Sequence, residues 1–340
     1  MRKQRNDHWS RREFLSAAVL AGTGTLLGAP DFGIAAEPPP ETTRIRLGLI
    51  PSVCLAPQYV AEPLLRAEGF TDVQYLSAGG GVPGARQMGA GEIDISMNFA
   101  APLVVAVDAA IPIVVLAGVH SGCFELIASE RIRTIKDLKG KSVAVLNLNA
   151  AQHIFLSSMI AQVGLDPRKD INWVTQPAPE SKQLLAAGKI DAYLGFPPDP
   201  QELRAKKIGH VVVNSAADKP WSQYFCCMVS ANREFAIKNP AATKRTVRAI
   251  LKASNICALE PARAAKTFLE RGFPAREDFA VQALKEIPYG RWREYEPEDT
   301  IRFYSLRLHE ADMIKSSPQK IIAQGTDWRF LRELKKELKA

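Results

Sequence analysis

The feature that most limits the folds open to this chain is a weak internal repeat. At an offset of about 96 residues, the segment AGEID at residues 90–94 recurs as AGKID at residues 187–191. The apolar segments at residues 46–50 and 142–146 are related by the same offset. In each copy a helical stretch, a second strand pattern and a further helix lie between the two matching segments. The shared order and spacing indicate two structurally related units.

The repeated segments have the pattern of β-α-β-α-β units. Residues 44–100 and 141–197 each alternate short buried-strand patterns with helical stretches, and the first helical stretch of each unit ends at Gly69 or Gly164. A glycine at that position suits a left-handed helix C-cap. Strands that alternate with helices favour parallel sheets covered on both faces. The sequence therefore predicts an α/β protein in which each unit forms a mainly parallel sheet flanked by helices.

The rest of the chain indicates how the two units are connected. A chain of 340 residues exceeds what one hydrophobic core usually organises. A charged segment at residues 132–141 leads into the second unit, and an apolar run at residues 224–230 leads back. We therefore predict a discontinuous first lobe (residues 42–128 and 230–340) and an inserted second lobe (residues 129–229). Two lobes joined by two crossings form a hinge with a cleft.

The C-terminal region is predicted to be almost entirely helical from Asn232 onward. The closing helix starts near Asp327 and has an apolar face at helical spacing, formed by Phe330, Leu331, Leu334 and Leu338. Three aromatic residues that precede it, Tyr289, Trp292 and Tyr295, are predicted to form a surface cluster.

The first 36 residues have the pattern of an export signal. The motif SRREFL at residues 10–15 follows a basic start and leads into a mildly apolar run at residues 15–27, and Ala35 and Ala36 offer a cleavage site. This run is too short to span a bilayer, which needs roughly 20 apolar residues. No cysteine directly follows it as a lipid attachment site. We predict that residues 1–36 are a twin-arginine signal peptide and that the remainder is a soluble periplasmic protein without a lipid anchor.

Charge and cysteine content exclude some classes of protein. The net charge is +8, and the charges are scattered apart from the lysine-rich C-terminus, which favours solubility over nucleic-acid binding. The five cysteines lack metal-ligand spacing, and we interpret them mainly as small buried apolar residues. One disulfide is possible in an oxidising compartment. Cys226 and Cys227 are not expected to pair with each other, because adjacent residues of a strand point to opposite faces.

Ligands of open parallel sheets bind beyond the carboxyl ends of the strands, so we place the candidate site in the loops there. These loops contain Gly, Ala, Pro, Asn, Ser and a few aromatics but no Lys or Arg, and they span residues 51–57, 77–83, 98–101, 120–122, 147–153, 176–180 and 195–198. Helix N-termini at such loops can hold a carboxylate or sulfonate. Within them we predict His120, His153 and Phe196 as ligand contacts, with a surface position as an equal alternative for His153.

Three local patterns resemble enzyme motifs without meeting their requirements. GGGVPG at residues 79–84 satisfies G-x-G-x-x-G, but the strand that ends near Asn98 lacks the acidic residue that a dinucleotide fold needs. GVHSG at residues 118–122 has histidine where a nucleophile elbow has serine. His120 with Cys54 and Cys123 has no metal-ligand spacing. We therefore predict no catalytic residue, no metal and no cofactor.

Four further segments carry a family resemblance. They are APQYVA at residues 56–61, GEID at 91–94 leading into Asn98, IKDLKGK at 135–141, and REF at 233–235 continuing to Asn239-Pro240. With them the chain resembles the periplasmic substrate-binding proteins of ABC transporters over nearly all of residues 44–340. More narrowly, it is similar to the nitrate/sulfonate/taurine family that also contains the pyrimidine-precursor synthases of thiamin biosynthesis. The resemblance implies a two-lobed periplasmic-binding-protein fold with a cleft between the lobes.

The resemblance also implies which residues bind ligand. Family members use the loop after the first strand, the glycine loop, the turn after the Ile-Asp strand and the first helix start of the second lobe. The matching positions here are Ser52, Gln58, Gly79, Gly80, Asn98, Phe99, Ala100, Asn147, Asn149, Gln152 and His153.

The implied function is capture of a small organic molecule, sulfonate-, aromatic- or pyrimidine-like, by hinge closure. A monomer would then deliver it to an ABC permease with its ATPase. Two alternatives are a sensory binding module, which has the same sequence features, and a pyrimidine-precursor synthase-like enzyme with a pyridoxal-type cofactor. The synthase branch carries a cysteine-rich run, of which this chain has only Cys226 and Cys227.

Overall fold

The computed structural model describes residues 37–338, and the predicted signal peptide lies outside these residues. The described chain contains two five-stranded sheets. Their strands are β1 (Arg44–Leu49), β2 (Asp72–Ser77), β3 (Ile95–Phe99), β4 (Ile113–Ser121), β5 (Glu125–Ala128), β6 (Lys141–Val145), β7 (Ile171–Thr175), β8 (Ala192–Gly195), β9 (His210–Asn214) and β10 (Phe225–Asn232).

Helices follow or connect most of these strands. They are α1 (Ala56–Val60), α2 (Glu62–Ala67), α3 (Val82–Gly89), α4 (Ala100–Asp108), α5 (Ala151–Gln162), α6 (Ala178–Ala186), α7 (Asp199–Ala205), α8 (Arg233–Lys238), α9 (Pro240–Leu259), α10 (Pro261–Leu269), α11 (Glu277–Glu286), α12 (Pro297–Glu310), α13 (Pro318–Gly325) and α14 (Arg329–Glu337). Among residues 37–338, no helix combines the length and the apolar character needed to cross a bilayer.

The two sheets share one strand arrangement. The first has the order β2-β1-β3-β10-β4 and the second the order β7-β6-β8-β5-β9. In the first sheet β10 runs antiparallel to both of its neighbours, and in the second sheet β5 does so, while the other four strands share one direction. The predicted α/β class with mainly parallel sheets is therefore confirmed. In each sheet the exception is a strand adjoining a crossing between the sheets.

The internal repeat has a structural reason at its Ile-Asp segments. The carboxylate of Asp94 accepts a hydrogen bond from the backbone N–H of Arg46 (2.8 Å), and that of Asp191 accepts one from the N–H of Ser142 (3.0 Å). The backbone N–H of Asp94 in turn donates to the carbonyl of Arg46 (2.9 Å), and that of Asp191 donates to the carbonyl of Ser142 (2.8 Å). The repeated aspartate thus fastens the start of the third strand of a unit to the start of its first strand. Gly91 and its counterpart Gly188 have φ angles of +78° and +65°, a left-handed conformation that favours glycine.

The chain changes from one sheet to the other at two short crossings. The first crossing, residues 122–124, joins β4 of the first sheet to β5 of the second, and the second crossing, residues 215–224, joins β9 to β10. The crossings lie side by side, because Ser215 Oγ accepts hydrogen bonds from the backbone N–H groups of Cys123 (3.1 Å) and Phe124 (2.9 Å).

The C-terminal helices cover the first sheet and complete its core. Helix α14 buries Phe330, Leu331 and Leu334, as its spacing predicts. The prediction of an exposed cluster around Trp292 is wrong, because both Trp292 and Tyr289 are fully buried. The Tyr289 hydroxyl donates to the carbonyl of Cys54 (3.1 Å), so this aromatic pair belongs to the interior of the protein.

Candidate functional site

Three helices begin where the two sheets approach each other. A β-carbon added to Gly81, the residue before α3, would lie 3.3 Å from the backbone nitrogen of Ala151, the first residue of α5, and 3.7 Å from Pro102 in the first turn of α4. The N-cap residues of these three helices, Gly81, Phe99 and Ala150, make no side-chain capping hydrogen bond. The first N–H groups of a helix have no partner within the helix. We call this meeting point the Gly81 junction; it concentrates backbone donors from both sheets.

Asn98 holds the glycine loop at the Gly81 junction. Its Oδ1 accepts hydrogen bonds from the N–H groups of Gly81 (3.1 Å) and Phe99 (2.8 Å), while its Nδ2 donates to the Gly81 carbonyl (3.1 Å). The side chain is almost fully buried. Gly79 and Gly80 directly precede Gly81, and Gly80 lies beside the ring of Phe99. The structure commits the amide of Asn98 to the glycine loop, and a ligand contact by Asn98 stays a prediction.

Gln58 has a similar backbone role. Its Nε2 donates to the Gly48 carbonyl (2.6 Å), and its Oε1 accepts from the N–H of Met97 (2.7 Å) and from Ser96 Oγ (3.0 Å). The side chain therefore joins β1 to β3 at the end that carries the loops. Gln58 positions the strands beneath the Gly81 junction.

Four phenylalanines form the apolar part of the site. The ring of Phe99, at the end of β3, lies 5.3 Å from that of Phe124 and 5.8 Å from that of Phe196. Phe124 also lies 4.8 Å from Phe155 on α5. We call these four residues the aromatic cluster. Because Phe99 ends a strand of the first sheet and Phe196 follows a strand of the second, the cluster joins the two sheets at their strand ends.

The remaining predicted contacts fall into two other places. Asn147 and Asn149 are exposed, and the N–H of Asn149 donates to Nδ1 of His153 (3.1 Å). Asn149 and His153 line a cavity of about 410 Å³ together with Leu148, Trp173 and Met313. Burial lowers the pKa of His153 to about 4, so its ring is neutral at pH 7. Gln152 is buried in the first turn of α5.

His120 and Ser52 lie in the buried region beside Cys54. His120 is fully buried, and its Nε2 lies 3.0 Å from the carbonyl oxygen of Cys54. Ser52 Oγ lies 3.0 Å from Cys54 Sγ. The structure therefore brings together Gly79, Gly80, Asn98, Phe99, Ala100 and Phe196, and places His120 and Ser52 beside buried thiols. It adds Gly81, which lies in the predicted loop at residues 77–83 without being named as a contact, and Phe124 and Phe155, which no sequence pattern marked as site residues.

Polar side chains outside the aromatic cluster join helix α7, which follows β8 of the second sheet, to helix α11. Arg204 on α7 donates to Glu286 on α11 (2.6 Å), and Gln201 donates to the same carboxylate (2.9 Å). Nε of Arg204 lies 3.3 Å from the carboxylate of Glu125, at the start of β5, but these two atoms do not form a hydrogen bond. Burial raises the pKa of Glu125 to about 7, and the charge of Arg204 offsets this only in part.

Known proteins share both sequence and fold with this chain. A sequence model described as the NMT1-like family matches residues 38–269. The nitrate/nitrite binding protein NrtA of Nostoc sp. is 21% identical over 306 residues, which cover 74% of this chain and 67% of that protein. The structure of the periplasmic nitrate-binding protein NrtA from Synechocystis has a TM-score of 0.72 at 14% identity and covers 89% of this chain and 90% of that one.

A second solved structure extends the comparison. The alkanesulfonate-binding protein SsuA from Xanthomonas axonopodis pv. citri, bound to MOPS, has a TM-score of 0.66 at 18% identity and covers 86% of this chain and 100% of that one. At these identities the structures establish the fold, and the two sheets flanked by helices have the periplasmic-binding-protein fold.

Proposed function

The chain belongs to the NMT1-like family, and from that premise we propose that it is the solute-binding component of an ABC importer. We assign one lobe to each sheet, with the hinge at the two crossings. A small molecule binds between the lobes and stabilises their closed arrangement, since it contacts both. The protein then delivers the molecule to a membrane permease with its ATPase. The relatives named as nitrate- and sulfonate-binding proteins support this assignment.

The observation that carries the proposal is the Gly81 junction beside the aromatic cluster. The N-termini of helices that follow strands of both sheets meet there without side-chain caps. The rings of Phe99 and Phe196 are in contact beside them, at the adjacent strand ends. A ligand at this place contacts both sheets at once. That is the property which couples binding to hinge closure.

The chemistry of the junction favours a small monoanion or an aromatic molecule. The loops at the strand ends contain no Lys or Arg, so a negative charge would be held by backbone N–H groups and helix dipoles. Nitrate and sulfonates fit such donors, as do the carboxylates of aromatic acids. The phenylalanine rings add a surface for a planar or alkyl group.

We expect a matching ligand to raise the melting temperature of residues 37–340, because it binds only the folded protein. The measurement is a thermal-shift screen of nitrate, alkanesulfonates, aromatic carboxylates, pyrimidines and short amides, followed by titration calorimetry of each hit. At a concentration 100 times Kd the stabilisation amounts to about 2.7 kcal/mol. A screen with no hit, combined with a bound cofactor in the purified protein, would contradict solute binding and favour the synthase-like alternative.

Asn98→Ala is expected to weaken ligand binding roughly tenfold or more. The substitution leaves the buried N–H of Gly81 without its partner, while the Gly81 carbonyl keeps only the N–H of Ala85, and an unpaired buried polar group costs about 1–3 kcal/mol. Asn147→Ala, at an exposed position, is expected to have a smaller effect. Asn172→Ala is the control, because its amide bonds to Gly140 away from the junction. Unchanged Kd values for Asn98→Ala and Asn147→Ala would remove both loops from the binding site.

The place of action follows from the same proposal. We assign the protein to the periplasm and residues 1–36 to a twin-arginine signal, and we expect a monomer. Fusing residues 1–36 to a reporter that is active only after twin-arginine export tests this assignment. A reporter that remains in the cytoplasm would contradict it.

A further inference from the structure

Four of the five cysteines meet in one buried cluster at the crossings between the sheets. The Sγ atoms of Cys123 and Cys226 lie 2.9 Å apart, while Cys226–Cys227 and Cys54–Cys227 are both 3.9 Å apart. We call these four residues the thiol cluster. The fifth cysteine, Cys257, is on α9.

Adjacent Cys226 and Cys227 both take part, which corrects the prediction that their side chains point to opposite faces. The pairing of β10 with β4 shifts register between Phe225 and Cys227 and again between Cys227 and Met228. A bulge of this kind interrupts the alternation of side chains along a strand. The irregularity therefore lets both sulfur atoms reach the same cluster.

The closest pair in the thiol cluster connects the two crossings. Cys123 belongs to the first crossing, and Cys226 is the second residue of β10, directly after the second crossing. The Ser215 hydroxyl already joins the same two segments by hydrogen bonds. Cys123 and Cys226 each retain 5% exposure, whereas Cys54 and Cys227 retain none. The two cysteines whose sulfur atoms lie nearest each other are thus also the two residues with some remaining exposure.

His120 does not complete a metal site. Its Nε2 faces the Cys54 carbonyl (3.0 Å), and its Nδ1 faces the carbonyl of Gly122 (3.2 Å). A neutral imidazole has only one N–H, so both contacts are hydrogen bonds only when the ring is protonated, and a protonated ring has no lone pair for a metal. Four thiolates around zinc, each bonded at about 2.3 Å in a tetrahedron, would be about 3.8 Å apart. The separation of Cys123 and Cys226 is shorter than that.

We propose that Cys123 and Cys226 form a disulfide bond that joins the two crossings of the hinge. The bond would close a loop in which the partners are 103 positions apart and which contains every strand of the second sheet. Its role at a hinge rests on the proposed function. Both cysteines lie at the crossings and not in the strand-end loops of the candidate site. The bond therefore holds the two crossings together without tying one lobe to the other across the cleft.

The bond forms by thiol–disulfide exchange with a low-molecular-weight disulfide such as oxidised glutathione. Although burial opposes it, thiol contacts with Cys123 and Cys227 and the charge of His120 lower the pKa of the Cys226 thiol to about 6. The Cys226 thiolate attacks one glutathione sulfur and releases the first glutathione thiolate. The Cys123 thiol then loses its proton and attacks the Cys226 sulfur, releasing the second. Two thiols are oxidised, one glutathione disulfide is reduced, and the two protons end on glutathione.

The test is a thiol count and disulfide map of the full chain after incubation with oxidised glutathione, without added solute. Denatured and alkylated without reductant, the protein is expected to show three free thiols of its five cysteines, with Cys123 linked to Cys226. Reduction is expected to lower Tm by on the order of 5–10 °C. The double variant Cys123→Ser/Cys226→Ser should show no such fall, and Cys257→Ser should keep the bond.

Other outcomes overturn the proposal. Five free thiols after oxidation exclude the bond, and a map that links Cys54 to Cys227 excludes this pairing. Stoichiometric zinc or copper by elemental analysis, with cluster thiols that resist alkylation until the metal is removed, would make the thiol cluster a metal site. The disulfide test uses no solute, so its result does not depend on the solute screen. If the Cys123–Cys226 bond is mapped but no screened solute binds, the result supports the disulfide and contradicts only the proposed function.

Discussion

Gly81→Ala is expected to reduce ligand affinity at least tenfold and to lower stability as well. Gly81 has φ +83° and ψ −142°, a conformation open almost only to glycine, so alanine costs about 1–3 kcal/mol in backbone strain. Its β-carbon would also lie 3.3 Å from the backbone nitrogen of Ala151, so the start of α5 has to move away from the glycine loop by a few tenths of an ångström. A loss of about 1.4 kcal/mol in the closed arrangement corresponds to a tenfold increase in Kd.

Gly91→Ala separates the two effects of this substitution. Gly91 lies just beyond the other end of α3 with φ +78°, and no atom lies within 4 Å of the β-carbon it would gain. Chemical unfolding should therefore detect a loss of stability in both variants, whereas titration calorimetry should detect weaker binding only in Gly81→Ala. Equal Kd values for the two variants would mean that the Gly81 junction does not form in the bound state.

Glu125→Gln is expected to remove a pH dependence of stability worth roughly 2–3 kcal/mol between pH 5 and pH 8. The Glu125 carboxyl has a pKa of about 7 in the folded protein, against an ordinary value of 4.5. Well below pH 4.5 the carboxyl is protonated in both the folded and the unfolded protein, so it adds no pH dependence to the free energy of unfolding. As pH rises from 4.5 to 7, the unfolded chain ionises first, so the free energy of unfolding falls by about 1.4 kcal/mol for each pH unit.

Urea unfolding at pH 5 and pH 8 measures this effect. The wild-type protein should lose more stability across the interval than Glu125→Gln, and the difference between them is the contribution of the buried carboxyl. Glu130→Gln is the matched control, because Glu130 is exposed and its side chain contacts Arg133. An equal loss in wild type and Glu125→Gln would show that Arg204 keeps the buried carboxylate ionised at pH 5.

The sequence predicts the parts of the fold that depend on local order. The repeat at Asp94 and Asp191 is read correctly, because each copy makes the same local bond to the first strand of its own unit. The family resemblance, which rests on contiguous segments, is confirmed by the match to the NMT1-like family. Burial of Trp292 was not predictable, because the residues that cover it come from distant helices and the local pattern is polar.

The candidate site is only partly readable for the same reason. Asn98 and the glycine loop are marked by their position at strand ends and by the family resemblance. The ring contacts of Phe99 with Phe124 and Phe196 depend on how the two sheets face each other, and the spacing of residues along the sequence does not predict that. The thiol cluster is a stronger case, since it assembles cysteines up to 173 positions apart and requires a bulge in β10.

The position of β10 has a consequence for the order in which this protein acquires its structure. β10 lies between β3 and β4 and pairs with both, yet it is made only after the whole second sheet. Until residue 232 has left the ribosome, β3 and β4 cannot obtain their shared partner, and unpaired edges of this kind are templates for aggregation. The second sheet meets no such delay, because all of its strands lie between residues 125 and 214. The nascent chain is thus expected to complete the second sheet before the first, and β3 and β4 need protection until synthesis is past two-thirds of the chain.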